Sequence, residues 1–202
     1  MILLINSEVA NIGSWERILK EKKIKFIYSN DIDLDLKKIK KIIFPGVGNF
    51  GKVMKNIKSK NLDKTIISLI NNQNVKYLGI CVGMQILLQY SEESNCEGLN
   101  LVMGINKKIN FPNFPKIHNG WNNNKIIKIN SKITRDINNI DDFYFNHSYY
   151  CQIENDKDLI AHLEGHPKIA TIIHKNNLFG VQFHPEKSHD NGLKLINNFL
   201  EI

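Results

Sequence analysis

Cys81 lies at the end of an apolar run, Tyr77-Leu78-Gly79-Ile80, and is followed at once by a helical pattern, Val82-Gly83-Met84-Gln85. A cysteine at a strand-to-helix junction is the thiol form of a nucleophile elbow. Such a turn crowds the backbone, and the flanking Gly79 and Gly83 relieve the crowding because they carry no Cβ. At a helix N-terminus the positive end of the backbone dipoles favours thiolate over thiol. The competing reading of an isolated cysteine among apolar residues is a buried, inert thiol.

A second segment favours the nucleophile. In Phe179-Gly180-Val181-Gln182-Phe183-His184-Pro185-Glu186-Lys187-Ser188 an apolar strand ends in a histidine, with a carboxylate two residues on. A cysteine nucleophile needs an imidazole to move its proton, and the imidazole needs a partner that fixes its tautomer and stabilises its cation. His184 and Glu186 fit these roles, whereas His162, His166, His174 and His189 read as surface or packing histidines. A third segment, Phe44-Pro45-Gly46-Val47-Gly48-Asn49-Phe50-Gly51, lies between a strand and a helix. Glycine-rich backbone there can turn N–H groups toward an oxyanion, although the same pattern also serves phosphate binding or a plain turn.

The elements that must hold these segments follow from hydropathy. Strands are expected at Met1–Ile5, Ile24–Tyr28, Ile42–Phe44 and Val75–Ile80, alternating with helices at Ile12–Lys23, Phe50–Lys58, Leu62–Asn72 and Gly83–Tyr90. Alternation of this kind builds a parallel sheet covered on both faces. In the second half, strands are expected near Leu101–Phe111, Lys125–Ile129, Phe143–Phe145, Tyr149–Glu154, Ala161–Leu163, Ile169–His174 and Leu178–Phe183, close enough together to be antiparallel additions. A last helix at Gly192–Ile202 places Leu193, Ile196, Phe199 and Leu200 on one face. The fold class is therefore α/β, a three-layer sandwich with a mostly parallel central sheet and antiparallel strands in its second half. Residues 1–202 read as a single domain, since no repeat or Pro/Gly/Ser-rich linker divides them.

The three cysteines, Cys81, Cys96 and Cys151, show neither disulfide-framework nor metal-ligand spacing and suit a reducing cytoplasm. No early apolar run is long enough for a leader or a membrane span. A net charge of +7 raises nucleic-acid binding. Against it, only Arg17 and Arg135 are arginine and the lysine groups have no interleaved stacking aromatics, so the charge reads as a solvated surface or a face for an acidic protein.

Taken together, the segments resemble the class I glutamine amidotransferases, a flavodoxin-like family, and within it most closely the glutaminase subunits of imidazole glycerol phosphate synthase. The resemblance spans essentially the whole chain through Pro45-Gly46-Val47-Gly48, Gly79-Ile80-Cys81-Val82-Gly83-Met84-Gln85, His118-Asn119-Gly120-Trp121-Asn122, Asn146-His147-Ser148-Tyr149-Tyr150 and His184-Pro185-Glu186-Lys187-Ser188. It implies a glutaminase in which Cys81, His184 and Glu186 are catalytic and backbone amides of Val47 and Val82 hold the oxyanion. It assigns the glutamine pocket to Gly48, Gln85, Glu93, His147, Ser148 and Tyr149, with no metal or cofactor. It further implies a heterodimer in which ammonia passes to a barrel-shaped cyclase of histidine biosynthesis. Asn11, in an N-terminal family motif with Ser14, Trp121 and Lys187 match the partner interface. The first loop departs from the family, with Asn6-Ser7-Glu8-Val9-Ala10 in place of an aspartate and a glycine-rich stretch. That departure raises the alternative of a paralogous subunit serving a synthase that amidates a sugar nucleotide; separate alternatives are a catalytically silent module on the same fold, against which the intact triad argues, and a stand-alone cysteine hydrolase. The peptide between Gly46 and Val47 is expected to reorient when a liganded partner docks.

Overall fold

The computed structural model describes residues 1–7, 12–30 and 35–202. Asn11 and most of the divergent first loop therefore lie outside the described residues. Strand β1 (Ile2–Leu4) leads to helix α1 (Ile12–Glu21), then β2 (Phe26–Tyr28), β3 (Lys41–Phe44), α2 (Phe50–Ser59), α3 (Leu62–Gln73), β4 (Lys76–Ile80) and a single helical turn, α4 (Val82–Gln85). The chain continues through β5 (Tyr90–Ser91), β6 (Cys96–Glu97), β7 (Gly104–Lys108), β8 (His118–Ile126), β9 (Asp142–His147) and β10 (Tyr149–Ile153). It ends with β11 (Leu159–Leu163), β12 (His166–Lys175), β13 (Leu178–Val181) and α5 (His189–Glu201).

The strand order β2-β1-β3-β4-β13 is parallel throughout, and β13 then meets β12 in antiparallel register. From β12 the sheet continues to β10, β7, β5 and β6, while β11, β8 and β9 branch away through β12. Alternation along each parallel strand divides the core in two. Ile2, Leu4, Ile43, Leu78 and Ile80 pack with Trp15, Ile18 and Leu19 of α1 and Leu195, Ile196 and Phe199 of α5. Leu3, Ile42, Phe44 and Tyr77 face the other way, against Phe50, Val53, Met54 and Ile57 of α2 and Ile66, Leu69 and Ile70 of α3. One helical layer covers each face, so the expected three-layer α/β sandwich is present. Among the described residues no helix is long and apolar enough to cross a membrane.

Three expectations about elements need correction. The helix expected over Gly83–Tyr90 ends at Gln85, because the carbonyls of Ile86, Leu87 and Leu88 are taken by the N–H groups of Leu99, Leu101, Val102 and Asn100. The strand expected at Lys125–Ile129 starts at His118 and ends at Ile126; four asparagines hide it, since Asn is disfavoured in strands, and pairing with β9 supplies what propensity lacks. On α5 the buried face is Gly192, Leu195, Ile196 and Phe199, while Leu193 is exposed.

Candidate active site

Cys81 sits where β4 turns into α4, with φ 52° and ψ −108°, a positive φ that an L-residue adopts only when the surroundings enforce it. Its N–H donates to Val181 O (2.8 Å) and its carbonyl accepts from Met84 N and Gln85 N (3.0 Å each), so sheet and helix hold the turn from both sides. The glycines on either side are required by close approach. A Cβ on Gly79 would lie 2.2 Å from Gly83 O, and one on Gly83 would lie 2.1 Å from Phe44 O. The buried Tyr77 hydroxyl donates to Gly83 O (2.7 Å) and ties the elbow to the strand beneath it.

His184 and Glu186 leave β13 on the turn before α5, both side chains 2% exposed, with Nδ1 3.0 Å from Oε1 of the carboxylate. A carboxylate partner requires Nδ1 to carry the proton, which turns Nε2 toward the nucleophile as a base. The turn is clamped from β9. His184 N donates to Tyr144 O (2.8 Å), Ser188 Oγ donates to His184 O (2.7 Å), and Tyr144 N donates to Ser188 Oγ (3.0 Å). Burial alone would lower the His184 pKa, but the facing Cys81 and Glu186 outweigh it and push it up to about 10. The Cys81 thiol that His184 faces is the first cause of that rise and the Glu186 carboxylate the second.

Beside the elbow a cavity of about 340 Å³ is lined by Val47, Gly48, Cys81, Gln85, Glu93, His147, Ser148 and Tyr149, together with Asn49 and Asn146. All six residues assigned to substrate recognition thus meet at the expected nucleophile, although they come from four separate stretches of chain. Val47 joins them. Val82 does not line the cavity; it is the first residue of α4, where an N–H has no intrahelical acceptor. Glu93 is anchored by Phe50 N, which donates to its Oε2 (2.8 Å) at the start of α2. Asn49 caps the same helix, its Oδ1 accepting from Lys52 N (3.0 Å) and Ser94 Oγ (3.1 Å). The result is a small polar cleft lined by both a carboxylate and a thiol, groups suited to a zwitterion that presents a carbonyl to sulfur.

Trp121 and Lys187 come together on the surface beside this cleft. The Trp121 ring meets Tyr144 edge to face (5.9 Å) and stacks on His189 (5.1 Å, 5°), and Lys187 Nζ lies 5.6 Å over the Tyr144 ring. Trp121 remains 43% exposed. Sequence reasoning assigned no role to Tyr144, Asn49, Asn146 or Gln182. Asn49 and Asn146 lie within segments already singled out, residues 44–51 and 146–150, and Gln182 within the strand that ends at His184, whereas Tyr144 carried no signal beyond its expected strand.

The family described as glutamine amidotransferase class-I matches residues 12–202. Curated relatives include the imidazole glycerol phosphate synthase subunit HisH of Leptospira interrogans, 36% identical with all of both chains covered. The HisH subunits of Methanocaldococcus jannaschii and Blochmanniella floridana are 39% and 40% identical; this chain is covered completely in both cases, and 100% and 99% of theirs. Among solved structures, a glutamine amidotransferase superposes with TM-score 0.74 at 14% identity, covering 100% of this chain and 98% of that one. PurLQS from Thermotoga maritima superposes with TM-score 0.74 at 16% identity, covering 99% and 97%.

Proposed function

The chain belongs to the class I glutamine amidotransferases, and from that premise we propose that it is the glutaminase subunit of an imidazole glycerol phosphate synthase, supplying ammonia for histidine biosynthesis. The observation that carries the reading is the meeting of Cys81, at an enforced positive φ, with the buried His184–Glu186 pair beside a cavity lined by Glu93.

In this reading the α-ammonium of L-glutamine pairs with Glu93, and the Cys81 thiolate attacks the side-chain carboxamide. A C–S bond forms while the carbonyl π electrons move to oxygen, where N–H groups of Val47 and Val82 receive the charge. As the intermediate collapses the C–N bond breaks, and the leaving nitrogen takes its proton from the His184 imidazolium. Glu186 and the neighbouring sulfur favour that cation. Neutral His184 then draws a proton from water, which attacks the thioester, releases L-glutamate and regenerates the thiolate and the imidazolium. No cofactor enters these steps. Ammonia passes to a barrel-shaped cyclase docked over Trp121 and Lys187 in a cytoplasmic heterodimer, with residues 1–202 acting as one catalytic domain and Asn11 at the same interface. Full-length relatives named as synthase subunits favour this partner over a sugar-amidating synthase.

The test uses the complex with the cyclase. Cys81→Ala should abolish product formation from glutamine and leave formation from added ammonium salt intact. Undiminished glutamine-dependent turnover in the variant would remove Cys81 from the mechanism.

A further inference from the structure

The expected source of thiolate stabilisation, a long helix starting at the elbow, is reduced to the single turn of α4, so few aligned peptides point at the sulfur. Another donor does point there. Gln182, fully buried at the end of β13, places Nε2 3.5 Å from Cys81 Sγ. Besides His184, the sulfur meets Asn146 O at the longer distance of 3.9 Å, and a carbonyl can only accept from a thiol.

The oxygen and nitrogen ends of an amide side chain are nearly alike in shape, so its orientation has to follow from its partners. Gln85 Nε2 lies 2.9 Å from Tyr149 O and 3.2 Å from Gln182 Oε1. The Tyr149 carbonyl only accepts, which makes the near atom of Gln85 its NH₂ group. The second hydrogen of that group demands an acceptor, so Gln182 turns its oxygen to Gln85 and its nitrogen to the sulfur. Tyr149 O also meets His147 Nδ1 (2.9 Å), which must then donate, leaving His147 Nε2 with a lone pair. His118 Nδ1, 3.0 Å from that lone pair, donates in turn, and His118 Nε2 accepts from Asn122 Nδ2 (3.1 Å). His118 Nε2 is left with a lone pair, which sets the Asn122 amide with its nitrogen toward the ring, so the run is consistent from the Tyr149 carbonyl outward. Burial and His166 hold the His118 pKa down to about 4, and burial, His118 and His184 hold that of His147 down to about 3. Neither ring therefore takes a second proton at neutral pH, which would break the N···N bond.

We propose that Gln182 is a catalytic residue whose Nε2–H stabilises the Cys81 thiolate, kept turned to the sulfur by the hydrogen-bond run from Asn122 through His118, His147, the Tyr149 carbonyl and Gln85. The proposal rests on Cys81 being the nucleophile. Its outer end, Asn122, lies on β8 with its side chain on the face opposite that of Trp121. The titratable groups around the sulfur are His184 and Glu186 on the turn before α5, His147 on β9, Cys151 on β10 and Glu93 in the cavity lining.

The test measures the pH profile of Cys81 alkylation by iodoacetamide in the full chain. It uses a Cys96→Ser background, with the adduct located by peptide mass. A hydrogen bond to a charged group is strong enough that its loss in Gln182→Met should shift the profile upward by roughly one to two pH units. On the acid limb of the profile, where the rate rises with pH, that is about a tenfold or greater drop in alkylation rate. His118→Phe, distant from the sulfur, should shift the profile in the same direction by less. A purely packing role for Gln182 would change melting temperature and leave the profile in place, and that result in a cooperatively folded variant overturns the proposal. Should Gln182→Met fail to fold, Gln85→Met frees the Gln182 amide to turn over and is read in the same way: an upward shift supports the proposal and an unmoved profile overturns it. Absence of any alkylation at Cys81 in the parent would instead strike the nucleophile assignment itself.

Discussion

His118, His147 and His184 show how one residue type is set to opposite tasks by its neighbours. The first two are kept neutral by burial in a run of directional hydrogen bonds, and the third is pushed toward its cation by Cys81 and Glu186. These shifts fix the sign of the pH dependence. For His118 and His147 the unfolded chain binds more protons below its ordinary pKa of 6.5. Their contribution to stability is therefore complete above pH 6.5 and lost as pH falls toward about 4 and about 3. For His184 the folded state holds the proton longer, so its contribution is complete below pH 6.5 and lost as pH rises through about 10. The melting temperature should accordingly peak near pH 6.5 and decline on both sides between pH 5 and pH 9. A flat profile by calorimetry over that range would mean that these environments are absent in solution. At this scale the sequence was informative where chemistry is local: Cys81 at its elbow, and His184 two residues from Glu186. Gln182, Tyr144 and Asn49 acquire their contacts only when separate strands and helices meet, and no spacing along the chain encodes that meeting.

At the scale of elements, the elbow depends on backbone packed too tightly for any side chain. Gly83→Ala sets a Cβ 2.1 Å from Phe44 O, a backbone atom that cannot move aside alone. It should cost about 1–3 kcal/mol, as overpacking does, lower the melting temperature by several degrees, and slow glutamine hydrolysis by displacing Cys81. Gly13→Ala is the control. Nothing lies within 4 Å of a Cβ there, and α1 should be stabilised by about 0.5–1 kcal/mol. Equal melting temperatures for the two variants would contradict the packing described. The parallel strands were legible as short apolar runs that alternate with helical stretches, and α1, α2 and α3 because apolar residues recur there at three- or four-residue steps. The stretch after Gln85 was not, since Ile86, Leu87 and Leu88 are all fully buried and consecutive apolar residues carry no period. The strand β8 was obscured for the opposite reason, its polar residues being retained by pairing with β9.

The whole molecule presents its polar cleft and its exposed aromatic patch side by side, as an enzyme that delivers a reactive product to a docked partner requires. Trp121→Ala and Lys187→Ala should weaken association with the cyclase while leaving the fold intact, an outcome titration calorimetry reads directly. Unchanged affinity in both would place the interface elsewhere. A liganded partner that completes the oxyanion site by turning the Gly46–Val47 peptide should raise kcat about 10²–10³-fold with little change in KM. Stimulation seen only in KM would instead mean that the partner builds the glutamine pocket. The central claim, that Cys81 is the thiol that attacks glutamine, is tested most directly by intact mass after treatment with a diazoketone analogue of glutamine. The diazo-bearing carbon takes a proton from the His184 imidazolium, and attack of the Cys81 thiolate on that carbon then displaces N₂ and leaves a stable thioether. One adduct per chain is expected, mapping to Cys81, with Cys96 and Cys151 untouched and with protection by glutamine. An adduct on either other cysteine with Cys81 free, or labelling that glutamine does not slow, would contradict the account.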